Sequence, residues 1–241
     1  MLRSPNAPPH PPHPEAPCRT FHNSKAFTRI ELAAVIAVGT LLLAIVLPAL
    51  ADDRIRANQA VCMNNLSRIG QALASWAGDY EEQYPWEVDP SLGGTRAYQN
   101  SQRAWNHFAI LSNQLANPRV LVCPSDGAKV FSASFADLRW NQNSSISYLL
   151  GHPTIAEGRS ILSGDRNILN ASEWVSCFEL GAARSLSRPS TNASWGPTIH
   201  VHRGHLLFND GAVEGTDDRR LRNVLSTPGI TNAFHYTSPD F

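Results

Sequence analysis

Residues 32–51 carry no charge and read apolar on every side of a helix, a stretch of membrane length. After Asp53 the pattern changes. Val61, Leu66, Ile69, Leu73 and Trp76 recur at three- to five-residue steps, the spacing of an amphipathic helix with one buried stripe. The two patterns join without a break, so one helix is predicted from Thr28 to about Ala77, roughly 75 Å long at 1.5 Å per residue. Pro48 is predicted to kink or locally melt it, because proline removes a backbone hydrogen bond. Gly78-Asp79 is the expected stop.

Beyond the helix the periodicity shortens. Residues 79–143 mix turn formers (Tyr84-Pro85-Trp86, Gly93-Gly94) with short apolar runs and one short helix over 104–115. Residues 147–150, Ile168–Leu169 and 175–180 are strand candidates by β-branched and aromatic content. The clearest local signal is the hairpin over 205–214, where Asp210-Gly211 separates two apolar runs and supplies the positive φ angles of a tight turn. Residues 219–225 follow as a short helix with Leu221, Val224 and Leu225 on one face. The fold class is therefore α+β: a long N-terminal helix, spanning a membrane with its first half, packed on a small antiparallel sheet with loop-rich insertions.

Composition adds less. The 241 residues balance at zero formal charge, and their cations are scattered without an aromatic-basic stripe, which argues against a nucleic-acid partner. Residues 1–26 are dominated by Pro and His (Pro8-Pro9-His10-Pro11-Pro12-His13-Pro14) and cannot build a core. Arg19, Lys25 and Arg29 place the N-terminus on the cytoplasmic side of a single span, although Arg54 and Arg56 weaken the asymmetry.

The segment Ala26-Phe27-Thr28-Arg29-Ile30-Glu31, with its carboxylate at the head of the apolar run, resembles the processing signature of type IV prepilins and type II secretion pseudopilins. Counted from Phe27, Glu31 is the fifth residue and Pro48 the twenty-second. Two positions depart from the usual pattern: Ala26 stands where Gly is commoner, and Arg29 where Leu is normal. The resemblance implies a pilin-like fold, cleavage between Ala26 and Phe27 by a prepilin peptidase, methylation of the Phe27 amine, and pairing of Glu31 with a neighbouring subunit's ammonium. It divides the chain into a cleaved leader (1–26), a transmembrane half-helix (27–51), a periplasmic half-helix (52–78) and a globular head (79–241). It places the protein in the bacterial inner membrane, its head periplasmic or extracellular, with other pilin or pseudopilin subunits, the peptidase and membrane lipid as partners.

Four further segments resemble a large group of pseudopilin-like proteins: Cys62-Met63-Asn64-Asn65-Leu66, Leu121-Val122-Cys123-Pro124-Ser125-Asp126, Gly164-Asp165-Arg166-Asn167-Ile168 and the Asp-Gly hairpin. Because Cys62 and Cys123 fall in two of them, the resemblance makes these the first choice for a disulfide in an exported body. The alternative is that Cys62, Cys123 and Cys177 are all small buried hydrophobes.

Chemistry has one main candidate. His200 and His202, at i and i+2, would face one side of a strand, with His205 and Asp210 close by, a set able to hold a transition metal with an open position. The ordinary reading is structural: Asp-Gly is a turn and a nearby His supports it. Asp126, Asp165 and Asp210 sit beside turn residues, which leaves calcium open, yet no EF-hand loop is present. Arg166 pairs either with Asp165 or with another buried carboxylate, or lies exposed in a loop. Glu173-Trp174 and Trp195-Gly196-Pro197 are either an exposed aromatic face or core. No G-x-S-x-G, P-loop or H-E-x-x-H occurs. The preferred expectation is a non-enzymatic filament subunit without a cofactor. The alternatives are a surface-displayed binding module on a pilin-type anchor and a metal-dependent periplasmic enzyme.

Overall fold

The structure, a computed structural model, describes residues 27–98, 103–151, 158–169, 192–227 and 234–235. The leader, Ala26, Cys177, Glu173-Trp174 and the strand expected over 175–180 lie outside the described residues. The chain divides into two compact units, Met1–Pro48 and Ala49–Phe241, and helix α1 (Arg29–Asp79) contributes residues to both.

At its start α1 is held by a capping box. The Thr28 hydroxyl accepts the Glu31 amide at 3.3 Å, and the Glu31 carboxylate accepts the Thr28 amide at 2.8 Å. Arg29–Leu47 is long and apolar enough to cross a membrane, and among the described residues none of it is buried. The helix assignment continues through Pro48 to Asp79.

In the second unit the chain continues through α2 (Ala104–Ala109), α3 (Ser112–Leu115) and α4 (Phe135–Asn141). The strands are β1 (Tyr148–Gly151), β2 (Ile161–Asp165), β3 (Ile168–Leu169), β4 (Ser194–Trp195), β5 (Gly204–Phe208) and β6 (Val213–Thr216), followed by α5 (Asp218–Leu225) and β7 (Phe234–His235). Five strands form one antiparallel sheet in the order β6-β5-β2-β1-β7, while β3 and β4 pair separately. The class is α+β with a small antiparallel sheet.

The sheet is covered on both faces, so its central strands are apolar at successive positions rather than alternating with polar ones. Tyr148, Leu150, Leu162 and Leu207 join the stripe Cys62, Leu66, Ile69, Leu73 and Trp76 of α1 in one core. Leu149, Ile161, Leu206 and Phe208 point the other way and meet Trp195 with Leu221, Val224 and Leu225 of α5. Asp217 caps α5 by accepting the Arg220 amide at 2.8 Å.

Three expectations need correction. Val61 faces outward, half exposed, and Cys62 takes its place in the stripe. The helix over 104–115 is two helices, because a break at Ile110-Leu111 lets Phe108, Leu111 and Leu115 all reach the core. In the hairpin turn Asp210-Gly211 were expected to supply the positive φ angles together, and only Gly211 has one, at 83°. Asp210 instead accepts the Ala212 amide with its side chain at 3.0 Å.

Candidate functional site

Two places carry chemistry. The first is the head of α1, where Phe27 is exposed and the Glu31 carboxylate is engaged only locally, by the amide and hydroxyl of Thr28, both at 2.8 Å. Among the described residues Arg29 forms no ion pair with Glu31.

The second is a buried polar layer beside the sheet. Cys62 of α1 and Cys123, which follows a 3-10 turn over Pro118–Leu121, form a disulfide with their Cα atoms 5.3 Å apart. Both are fully buried. Asn65, one turn along α1 from Cys62, donates to the Val122 carbonyl at 3.3 Å and to the Tyr148 hydroxyl at 3.2 Å. The stripe that packs α1 thus also carries its polar contact to the layer. Burial, reinforced by the Asp165 charge, pushes the Tyr148 phenol well above its ordinary value and keeps it protonated.

Asp165, the last residue of β2, is the hub. Its Oδ2 accepts both the backbone amide and Nδ1 of His205 at 2.8 Å. The same oxygen lies 3.5 Å from Nε2 of His200. That Nε2 is also 3.4 Å from Sγ of Cys123. The two imidazoles meet edge to face with centroids 4.7 Å apart. Burial depresses the His200 pKa in spite of the Asp165 carboxylate, so the ring is neutral at pH 7. Beside this group Arg166 donates to Asp126 through Nε and a terminal nitrogen, at 2.7 and 2.8 Å, both residues buried. Burial alone would raise the Asp126 pKa, but hydrogen bonds and charge from Arg166 outweigh it and hold the carboxyl below its ordinary value.

The histidine set expected from spacing is therefore only partly assembled. His200 and His205 come together, but around Asp165. His202 turns away and its Nδ1 lies 3.2 Å from the Trp195 carbonyl. The reason is backbone conformation: residues 200–202 are a turn, not a strand, with Val201 and His202 both at positive φ, 47° and 60°. A β-branched residue there is strained by roughly 1–3 kcal/mol. Asp210 is on the surface, bonded at 2.7 Å to Arg159, which also reaches Glu214 at 2.6 Å. Trp195 is fully buried and closes over Gly204, where an added Cβ would meet its ring at 2.3 Å, so it is core and not a binding face.

An edge of His205 reaches a cavity of about 460 Å³ lined by Gln59, Met63, Arg203, Asp217 and Arg220 among others. An Asp-oriented imidazole at a cavity is the arrangement of a general base. The hydroxyl in its lining, that of Thr216, donates to the Gly204 carbonyl at 3.2 Å, and the Asp217 carboxylate caps α5. The sequence signal for this layer was Gly164-Asp165-Arg166-Asn167, given by resemblance, with a buried carboxylate as one of the partners open to Arg166. What sequence could not supply was the fold-back that sets Asp165 against residues forty positions later.

No protein family, curated protein or solved structure matches the chain in any of the three comparisons.

Proposed function

We propose that the chain is a membrane-anchored, pseudopilin-like subunit, built into a secretion pseudopilus or a type IV pilus-like filament. The observation that supports this best is the split character of α1. Its Arg29–Leu47 portion is apolar and, among the described residues, none of it is buried, whereas Cys62, Leu66, Ile69, Leu73 and Trp76 are buried in the body's core. A helix of that kind rests in lipid before assembly and packs with other subunits afterwards. A prepilin peptidase in the inner membrane cuts before Phe27 and methylates its amine. Glu31, held only by Thr28, then turns to the ammonium of a neighbouring subunit, since a carboxylate in an apolar environment is tolerated when compensated.

Mass spectrometry of the membrane fraction tests the first step: methyl-Phe27 is the expected N-terminus, and an uncut Met1 on most of the protein sinks it. Glu31→Ala is expected to insert normally and to fail in assembly. Wild-type incorporation of that variant into filaments would remove the pairing claim.

A second reading, display of a binding module on this anchor, draws on Trp140, which is 85% exposed, and on the half-exposed Val130 and Phe131. Saturable binding of one glycan or protein by the full chain, abolished by Trp140→Ala while filaments still form, would favour it.

A further inference from the structure

We propose that, when its disulfide is reduced, the body binds one zinc-class divalent cation through Cys62, Cys123, His200 and Asp165. The donor atoms of Cys62, Cys123 and His200 lie within 4.8 Å of one another, and so do those of Asp165, His200 and His205. His200 belongs to both groups, and its Nε2 faces the Cys123 sulfur at 3.4 Å and the Asp165 carboxylate at 3.5 Å. In a tetrahedral zinc site, with bonds of about 2.3 Å to sulfur and about 2.0–2.1 Å to nitrogen or oxygen, neighbouring donors stand roughly 3.3–3.8 Å apart. The His200–Cys123 spacing already matches an edge of such a tetrahedron, and the Asp165 carboxylate lies beside it, its Oδ2 held by His205 and its Oδ1 left to ligate.

The surroundings fit a closed structural site. All four residues are at most slightly exposed, and Oδ1 of Asp165 is buried without a hydrogen-bond partner. His205, bound to Oδ2 through its ring and its amide, supplies the outer contact that orients a ligating carboxylate. Two thiolates and an imidazole select zinc over calcium, which prefers oxygen alone.

The redox balance is simple. A dithiol reductant gives two electrons and two protons to the Cys62–Cys123 bond and leaves as its own disulfide. The cation then replaces the two thiol protons, which pass to solvent. Disulfide and metal are mutually exclusive occupants of one pocket, so the compartment in which the body folds decides between them.

The test uses the full chain in detergent, unfolded in guanidinium with dithiothreitol, freed of the reductant and refolded anaerobically with Zn²⁺ or Co²⁺, beside the oxidised protein. One metal per chain is expected in the reduced form alone, with the Co²⁺ form showing tetrahedral ligand-field bands and thiolate-to-cobalt charge transfer. Asp165→Asn and His200→Gln are expected to weaken binding by at least the ~10–100-fold seen on loss of outer-shell partners. Near-UV circular dichroism separates loss of the site from loss of the fold. Sub-stoichiometric metal in the reduced wild type overturns the proposal. So does failure of the metal to support refolding, equal binding by the oxidised protein, or a cobalt spectrum without the thiolate band.

Discussion

Leu42 and Leu73 lie on the same helix and differ completely in surroundings: Leu42 is 57% exposed and Leu73 is fully buried. Residue type and secondary structure are shared, so neither explains the difference. Leu73 is one position of an amphipathic stripe for which the rest of the chain builds a complementary core. Leu42 sits in a run apolar on all sides, none of it buried among the described residues. Each fully buried leucine is stabilised by about 1.5–3 kcal/mol relative to water. Among the described residues the first half of α1 finds no such burial. One half of the helix belongs to the core of the body; the other stays exposed.

Charge sharpens the contrast most. Residues 32–51 exclude it altogether, whereas the body buries the Asp126–Arg166 pair. Arg166→Gln strands a buried carboxylate and is expected to cost about 3–5 kcal/mol in chemical denaturation. The pH dependence carries the sign. Asp126 titrates below its ordinary value of 3.8 when folded, so the unfolded chain binds more protons in acid. Its contribution is complete above that value and is lost as pH falls through the folded pKa. In the variant, protonation relieves the stranded charge instead. The stability gap between the two proteins should therefore narrow on acidification. A gap independent of pH would mean that the pair does not stabilise the body.

Truncation of the two leucines is the next test. Leu73→Ala is expected to destabilise the body by about 2–5 kcal/mol, through lost burial and the cavity left behind. Leu42→Ala should leave the denaturation midpoint of the body unchanged and show its effect in membrane partitioning alone. Equal effects on the midpoint would abolish the distinction between the halves.

How much of this was legible in sequence follows the range of the interactions. The apolar run and the stripe were legible because helical period is a local property; only the phase slipped, exchanging Val61 for Cys62. The Asp210-Gly211 hairpin and the α5 face were legible for the same reason, although a positive φ was expected of the turn as a whole and occurs at Gly211 alone. The buried layer was legible only in part: the resemblance made Cys62–Cys123 the first choice for a disulfide, and a buried carboxylate was one partner open to Arg166. His200 and His202 were placed on one strand face by a spacing argument, and the left-handed backbone at Val201 and His202 defeats it. Asp165 and Asp126 looked like turn residues because their partners, His205 and Arg166, lie forty residues away and only the sheet brings them near.

Two glycines of α1 offer the finest test of the contrast. A Cβ on Gly70 would stand 3.0 Å from a methyl of Leu207, whose side chain is itself fully buried, whereas a Cβ on Gly39 would meet nothing within 4 Å. Gly70 is what lets α1 approach β5 closely. Gly70→Val adds methyl groups where the core has no room and is expected to cost about 1–3 kcal/mol in the denaturation of the body. Gly39→Ala relieves only the conformational freedom of a helical glycine and should stabilise its half of the helix by roughly 0.5–1 kcal/mol. Helix content and amide exchange in detergent report the second; the unfolding midpoint reports the first. Opposite signs on one helix are the expected result, because packing decides at Gly70 and backbone entropy decides at Gly39. A stabilising Gly70→Val would mean that Leu207 moves aside readily, and that the docked half of α1 is looser than its burial implies.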